Sequence, residues 1–338
     1  MEIDETCVGA YSEVFGSTAV QGVHGDRRWE RRCGPDEVWR CSIDRLPDEA
    51  FEGSELWLMS PPCQPFMSMG RRRDLDDPRC VALLRVLEAL PRLRTPPKAV
   101  LLENVPGFAG SRAHELLRGA LESCGYDTED HVLNPVDFGF PNTRTRFYCI
   151  AAAVGATGAD ASTTWSQAVP LPVARSGAQE PRPLREFCLP AASAHESIRK
   201  NTRVRCDLLD GGSVGEDARR FDVACGSSLA TKTFMGSYGK ARYGVAGLSK
   251  AGPLLLVQED GWTPAEVERP RFAELKQEER QRLRYFAPAE MLALQGFPKG
   301  WSLPDSVPVR KQWKLIGNSI NVAVVGHLLR RLLSRIGC

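Results

Sequence analysis

The chain has 338 residues, 42% of them hydrophobic and 25% charged, and 44 Lys+Arg against 42 Asp+Glu leave a formal net charge of +2. That length and apolar share allow one large core with a smaller second lobe, and the near-neutral balance excludes a histone-like polycation. No apolar stretch approaches the roughly 20 residues needed to span a bilayer, and eleven cysteines without C-x-x-C pairs suggest neither a zinc site nor a disulfide framework.

The start, Met1-Glu2-Ile3-Asp4, is acidic and lacks a signal-peptide pattern, so the expected compartment is reducing, cytoplasmic or also nuclear. Arg27, Arg28, Arg31 and Arg32 cluster around Trp29. The apolar run Leu56 to Met59 predicts a buried strand, and Pro61-Pro62-Cys63-Gln64-Pro65-Phe66 follows it directly. Proline fixes φ and removes a donor, so the Cys63 thiol is confined to a narrow set of positions at a strand's carboxyl end, where open α/β sheets place ligands. A bare Pro-Pro-Cys is equally compatible with a reduced cysteine packed in a turn. Arg71, Arg72 and Arg73 come next, a solvated face or a set of phosphate contacts.

Val81 to Leu90 carries helical spacing and stops at Pro91, and Ala99 to Leu102 predicts the next buried strand, ending at Glu103-Asn104-Val105. Strand, helix, strand makes a βαβ unit, which brings Cys63 and Glu103 out at the same sheet edge. A helix is expected over Ala113 to Ser123 and a strand over Phe147 to Ala153. The stretch 156–183 reads as a flexible connection, and 184–283 as a loop-rich lobe. A last amphipathic helix is expected from about Ile320 to Leu333.

With Asn142-Thr143-Arg144-Thr145-Arg146, Arg284-Tyr285-Phe286-Ala287-Pro288, Gln295-Gly296-Phe297-Pro298 and Gly317-Asn318-Ser319-Ile320 added, the series resembles the cytosine-5 methyltransferases of nucleic acids, motif by motif and in order. Ser60 before Pro-Pro-Cys, Leu101 to Phe108 and Gly139 to Arg144 resemble the eukaryotic tRNA(Asp) branch. Departures are Asn142 for the family's Gln, Thr233-Phe234-Met235 where that branch has Cys-Phe-Thr, and no opening Phe-x-Gly-x-Gly loop.

The resemblance implies an α/β, Rossmann-like S-adenosylmethionine-dependent methyltransferase sheet whose first strand is missing, with a smaller loop-rich target-recognition domain. Its catalytic domain would be 1–155 completed by 284–338, its linker 156–183 and its recognition domain 184–283. It implies S-adenosylmethionine as cofactor, held by Glu2 at the ribose, Ile3 on adenine, Ile43 where the usual Asp is absent, Pro61 along the pocket, and Asn318 and Ile320 near the methionine end. Cys63 would add to carbon-6 of cytosine and Glu103 would hold ring nitrogen N3. Arg146 would hold the base, and Arg144 would order the catalytic loop and phosphate. The two arginines also fit an edge salt bridge. The expected partner is a tRNA anticodon loop, with Tyr238 and Lys240 as contacts; no metal is implied. Other readings are a DNA cytosine-5 methyltransferase, a cofactor-deficient RNA-binding relic and a redox thiol protein.

Overall fold

The computed structural model describes residues 5–16, 18–21, 37–67, 72–155, 164–171, 180–189, 222–239, 252–257 and 272–337. The chain divides into two compact units. Met1–Leu133, Thr145–Leu171 and Gly326–Cys338 make the first, Asn134–Arg144 and Pro172–Val325 the second.

The first unit opens with α1 (Glu5–Phe15), then β1 (Thr18–Gln21) and β2 (Glu37–Arg40), which pair in parallel. Next come β3 (Leu56–Met59), α2 (Val81–Ala89), β4 (Ala99–Asn104), α3 (Arg112–Ser123), β5 (Tyr126–Leu133) and β6 (Arg146–Ala153). These four strands form one mixed sheet in the order β3-β4-β6-β5. β3 and β4 are parallel and joined through α2, as the βαβ reading requires, whereas β6 runs antiparallel to both of its neighbours.

Local sequence explains these elements. Every residue of β4 is buried, which suits an Ala-Val-Leu-Leu run in a central strand covered on both faces. α2 turns Leu83, Val86 and Leu87 inward, and Pro91 closes it in a 3-10 turn. α3 buries Ala113, Leu117 and Leu121 at four-residue spacing. Its N-cap is Ser111, whose Oγ accepts from the His114 N–H, and Gly125 at φ +80° ends it.

The second unit contains β7 (Val223–Ala224), β8 (Leu254–Leu256), α4 (Gln277–Gln281), β9 (Leu283–Arg284), α5 (Pro288–Leu294) and α6 (Val309–Asn318). The three short strands make a sheet in the order β7-β8-β9. Its core is aromatic: Phe234, Tyr238, Tyr285, Phe286 and Trp313 pack with the leucines of β8. α7 (Val322–Arg335) begins in this unit and ends in the first, two residues later at each end than the sequence predicts.

Four sequence expectations need correction. Leu56–Met59 forms the expected strand, but none of its residues is buried and Leu58 is 58% exposed. Residues 134–144 and 284–325 group with the second unit rather than with the catalytic sheet. The cause is local pairing: Arg284 is in register with Leu255 of β8, and Asn142 donates to Thr231 Oγ1 at 2.9 Å and to the Lys232 carbonyl at 3.0 Å. The middle of the 156–183 connection is fixed. Arg331 donates to the carbonyls of Trp165, Ala168 and Val169, and Ser334 Oγ accepts from the Val169 N–H. Tyr238 is core, only 2% exposed, not a surface contact. Its hydroxyl donates to the Pro253 carbonyl and accepts from the Phe286 N–H, each at 2.8 Å. Burial raises its pKa well above the ordinary tyrosine value.

β5 shows how charge is handled in the first unit. Its residues alternate between faces. On one face Arg331 grips Glu129 through two bonds of 2.6 and 2.8 Å and Arg335 reaches Asp127. On the other, His114 and Arg118 of α3 hold Asp130 at 2.8 and 3.1 Å. Burial opposes ionisation of Glu129, but the bonds and charges of His131 and Arg331 outweigh it and bring its pKa to about 2.

Candidate active site

The register of β3 and β4 builds the site. Met59 stands opposite Leu102 in the parallel ladder, so the next residues, Ser60 and Pro61, come out beside Glu103 and Asn104. Ser60 Oγ donates to Glu103 Oε2 at 2.6 Å. Arg146, entering β6, places Nε 3.2 Å from the other oxygen, Glu103 Oε1. Both oxygens are thus engaged, and Glu103 itself is only 7% exposed. Asn104 Nδ2 donates to the Pro61 carbonyl at 3.3 Å, which pins the start of the cysteine loop to the strand that carries the acid.

Cys63 is half-exposed and caps a 3-10 turn over Gln64–Phe66, closed by the Phe66 N–H donating to the Cys63 carbonyl at 3.0 Å. Phe66 is buried and meets Phe108 edge-on at 4.8 Å, and Phe108 in turn packs on Phe147. Gly107 makes this closeness possible: a Cβ there would stand 2.3 Å from the Phe66 carbonyl oxygen. Further along the loop, Asp74 has a left-handed backbone at φ +53°. Its carboxylate accepts from the N–H groups of Arg112 at 2.7 Å and Ala113 at 3.1 Å, at the start of α3. The loop bearing the thiol is therefore fastened at its start, middle and end to the chain that follows Glu103. Arg79, held by both oxygens of Asp77, lies within electrostatic range of Cys63.

The structure brings Pro61, Glu103 and Arg146 together at one sheet edge, and Cys63 follows Pro61 by two residues in the same loop. Ile43 begins a 3-10 turn in the same unit and packs, half-buried, on its core. Arg144, Asn318 and Ile320 belong to the second unit. Arg144 is 4% exposed and donates to the carbonyls of Phe234 (3.1 Å) and Ser319. These bonds tie it to two segments of the second unit. Glu2, Ile3, Lys240, Arg71 and the cluster from Arg27 to Arg32 lie outside the described residues. Ser60 and Asn104, both inside the quoted motifs, were not expected as site residues. Their signal is positional: each adjoins a predicted functional residue at a strand end.

The chain matches the C-5 cytosine-specific DNA methylase family over residues 2–187 and 191–334. It belongs to that family. It is 32% identical over 293 residues to a tRNA (cytosine(38)-C(5))-methyltransferase of Schizosaccharomyces pombe, covering 84% of this chain and 78% of the relative. A protein of the same name from Homo sapiens is 30% identical over 361 residues, covering 86% and 85%. Among solved structures, the S. pombe Dnmt2 methyltransferase superposes with a TM-score of 0.69 at 27% identity, over 100% of this chain and 90% of that one.

As a member of this family the chain is a cytosine-5 methyltransferase that uses S-adenosylmethionine. Described residues of the first unit fit part of such a group. Half-buried Ile43 and Pro61 offer apolar surface suited to its adenine and methylene portions. In the second unit, the exposed Asn318 amide is seated against the bare Cα of Gly236, where a Cβ would fill its place.

Proposed function

We propose that this enzyme methylates carbon-5 of a cytosine in the anticodon loop of a tRNA through a transient bond to Cys63. The observation that carries the reading is the shared edge: a thiol three residues beyond Ser60, whose hydroxyl is bonded to Glu103, itself paired with Arg146. The tRNA-acting relatives, matched over most of their length, support RNA as the substrate class. A reducing compartment, cytoplasmic or nuclear, goes with this reading and suits a chain of eleven cysteines lacking C-x-x-C pairs.

Carbon-5 of cytosine is not nucleophilic by itself. Addition of the Cys63 thiolate to carbon-6 makes the ring enamine-like, and a thiolate is both a strong nucleophile and a good leaving group. A proton on the Glu103 carboxyl group passes toward N3 as the thiolate adds, which draws electron density away from carbon-6. Ser60 and Arg146 fix both carboxyl oxygens, so the carboxyl group needs no reorganisation when the base arrives. S-adenosylmethionine supplies the electrophilic methyl group. A base, for which a water molecule suffices, then takes the carbon-5 proton, N3 returns its proton to Glu103, and Cys63 leaves as a thiolate while the aromatic ring is restored. The target must leave its stack to be reached from both faces, and a loop lowers that cost relative to a duplex.

The test is transfer of labelled methyl from S-adenosylmethionine to purified tRNA and, in parallel, to duplex DNA. Incorporation into tRNA alone is expected. Incorporation into DNA alone would replace the substrate, and incorporation into neither would leave a binding protein without turnover.

A further inference from the structure

Within the second unit, the segment Phe234–Gly239 lies against α6 and the residues after it, backbone to backbone. A Cβ on Gly317 would stand 2.4 Å from the Met235 carbonyl oxygen and 2.8 Å from the Gly236 nitrogen. A Cβ on Gly236 would stand 2.3 Å from Asn318 Oδ1, and one on Gly239 would stand 2.2 Å from the Trp313 ring. Three glycines thus clear side chains from this seam. Arg144 closes it, with one guanidinium shared between the carbonyls of Phe234 and Ser319. On the other flank Ser319 Oγ donates to Gln295 Oε1, and Gln295 Nε2 donates to the Ile316 carbonyl, both at 2.7 Å.

Two of these glycines have no conformational reason to be there. Gly236 and Gly317 are both outside the left-handed region, where glycine would be favoured. Gly317 even costs its helix about 1 kcal/mol relative to alanine. Close approach is what requires them. For Gly317 the opposing atoms are main chain. For Gly236 they are the end of a side chain, and that side chain, Asn318, is exposed. The absence of a Cβ at Gly236 therefore sets where this exposed amide stands.

We propose that Gly236 is a positioning residue for Asn318. Its bare Cα fixes where the amide stands and so presents it to the methionine end of S-adenosylmethionine. The proposal rests on the reading of Asn318 as a cofactor contact. In Gly236→Ala the amide must turn away, since a methyl group needs about 3.4 Å or more from it. The rotatable side chain yields before the backbone does, so the variant folds.

The experiment is titration calorimetry of S-adenosylmethionine into wild type, Gly236→Ala, Asn318→Ala and the double variant, with melting temperature and tRNA affinity measured alongside. Displacing a polar contact by about 1 Å is expected to weaken cofactor binding at least ~10-fold in Gly236→Ala. In the Asn318→Ala background the same substitution should change it less than ~2-fold, because the added methyl no longer meets an amide. Melting temperature and tRNA affinity should stay at their wild-type values. Unchanged cofactor binding in Gly236→Ala, or equal weakening in both backgrounds, overturns the proposal. Wild type that takes up no S-adenosylmethionine overturns the cofactor reading itself, a result distinct from either.

Discussion

Ser60 donates its hydroxyl hydrogen to Glu103 across 43 residues of sequence and 2.6 Å of space. The bond exists because the parallel register of β3 and β4 sets the residue after Met59 beside the residue after Leu102. It ties the acid to the loop that carries the thiol. Loss of one hydrogen bond to a charged group costs about 1.5–3 kcal/mol. Ser60→Ala is therefore expected to lower kcat by ~10- to 100-fold with KM for tRNA little changed, and Ser60→Thr, which keeps the hydroxyl, should recover part of it. Steady-state methyl transfer checks this; a KM effect without a kcat effect would contradict it.

Gly107→Ala probes the middle fastening of the cysteine loop. The added methyl would meet the Phe66 carbonyl at 2.3 Å, and that atom is main chain, so the loop itself must move. A 1 Å misplacement of a reacting group costs on the order of 10²-fold in rate. The expected result is a kcat loss of that size with the fold retained, read by methyl transfer beside circular dichroism. Wild-type kcat would show that the Phe66 contact does not set the thiol.

The pairing of Glu129 with Arg331 predicts a pH dependence of stability. Glu129 is held at about 2 in the folded protein, below its ordinary value of 4.5. Its contribution is therefore complete above about pH 4.5 and is lost as pH falls toward about 2. Arg331→Met removes the guanidinium and its bonds to three carbonyls of 165–169. Breaking a partly buried pair of this kind costs about 3 kcal/mol. Urea unfolding at pH 7, 5 and 3 should show the variant less stable at pH 7 and the difference shrinking at pH 3. A constant difference would contradict the linkage.

Tyr238→Phe separates a core role from RNA contact. The variant strands the buried Phe286 N–H and Pro253 carbonyl, at a cost of about 1–3 kcal/mol. Lower unfolding free energy with unchanged tRNA affinity is expected; the reverse pattern would return Tyr238 to the interface.

Much of the site was legible because its parts are local. Leu56 to Met59 and Ala99 to Leu102 are unbroken apolar runs; Glu103 follows the second directly, and Cys63 lies four residues beyond the first. The βαβ order alone placed Cys63 and Glu103 on one edge. What sequence did not reveal depends on distant pairing. Arg144 and Arg146 are two residues apart and look alike, yet one supports the second unit through Phe234 and Ser319 while the other pairs with Glu103. Tyr238 lies between Ser237 and Gly239, a surface-like setting, and its burial comes from Tyr285 and Trp313, far along the chain. β7 and β9, two residues each, are too short to show any periodicity.

The most direct test replaces the departing carbon-5 proton with fluorine. A tRNA carrying 5-fluorocytosine, incubated with the enzyme and S-adenosylmethionine, can form the adduct but cannot release it. Peptide mass spectrometry after denaturation should find the modified pyrimidine on the peptide containing Cys63, and no adduct in Cys63→Ala. An enzyme that methylates ordinary tRNA yet leaves no such adduct, or carries it on another cysteine, would contradict the role assigned to this thiol.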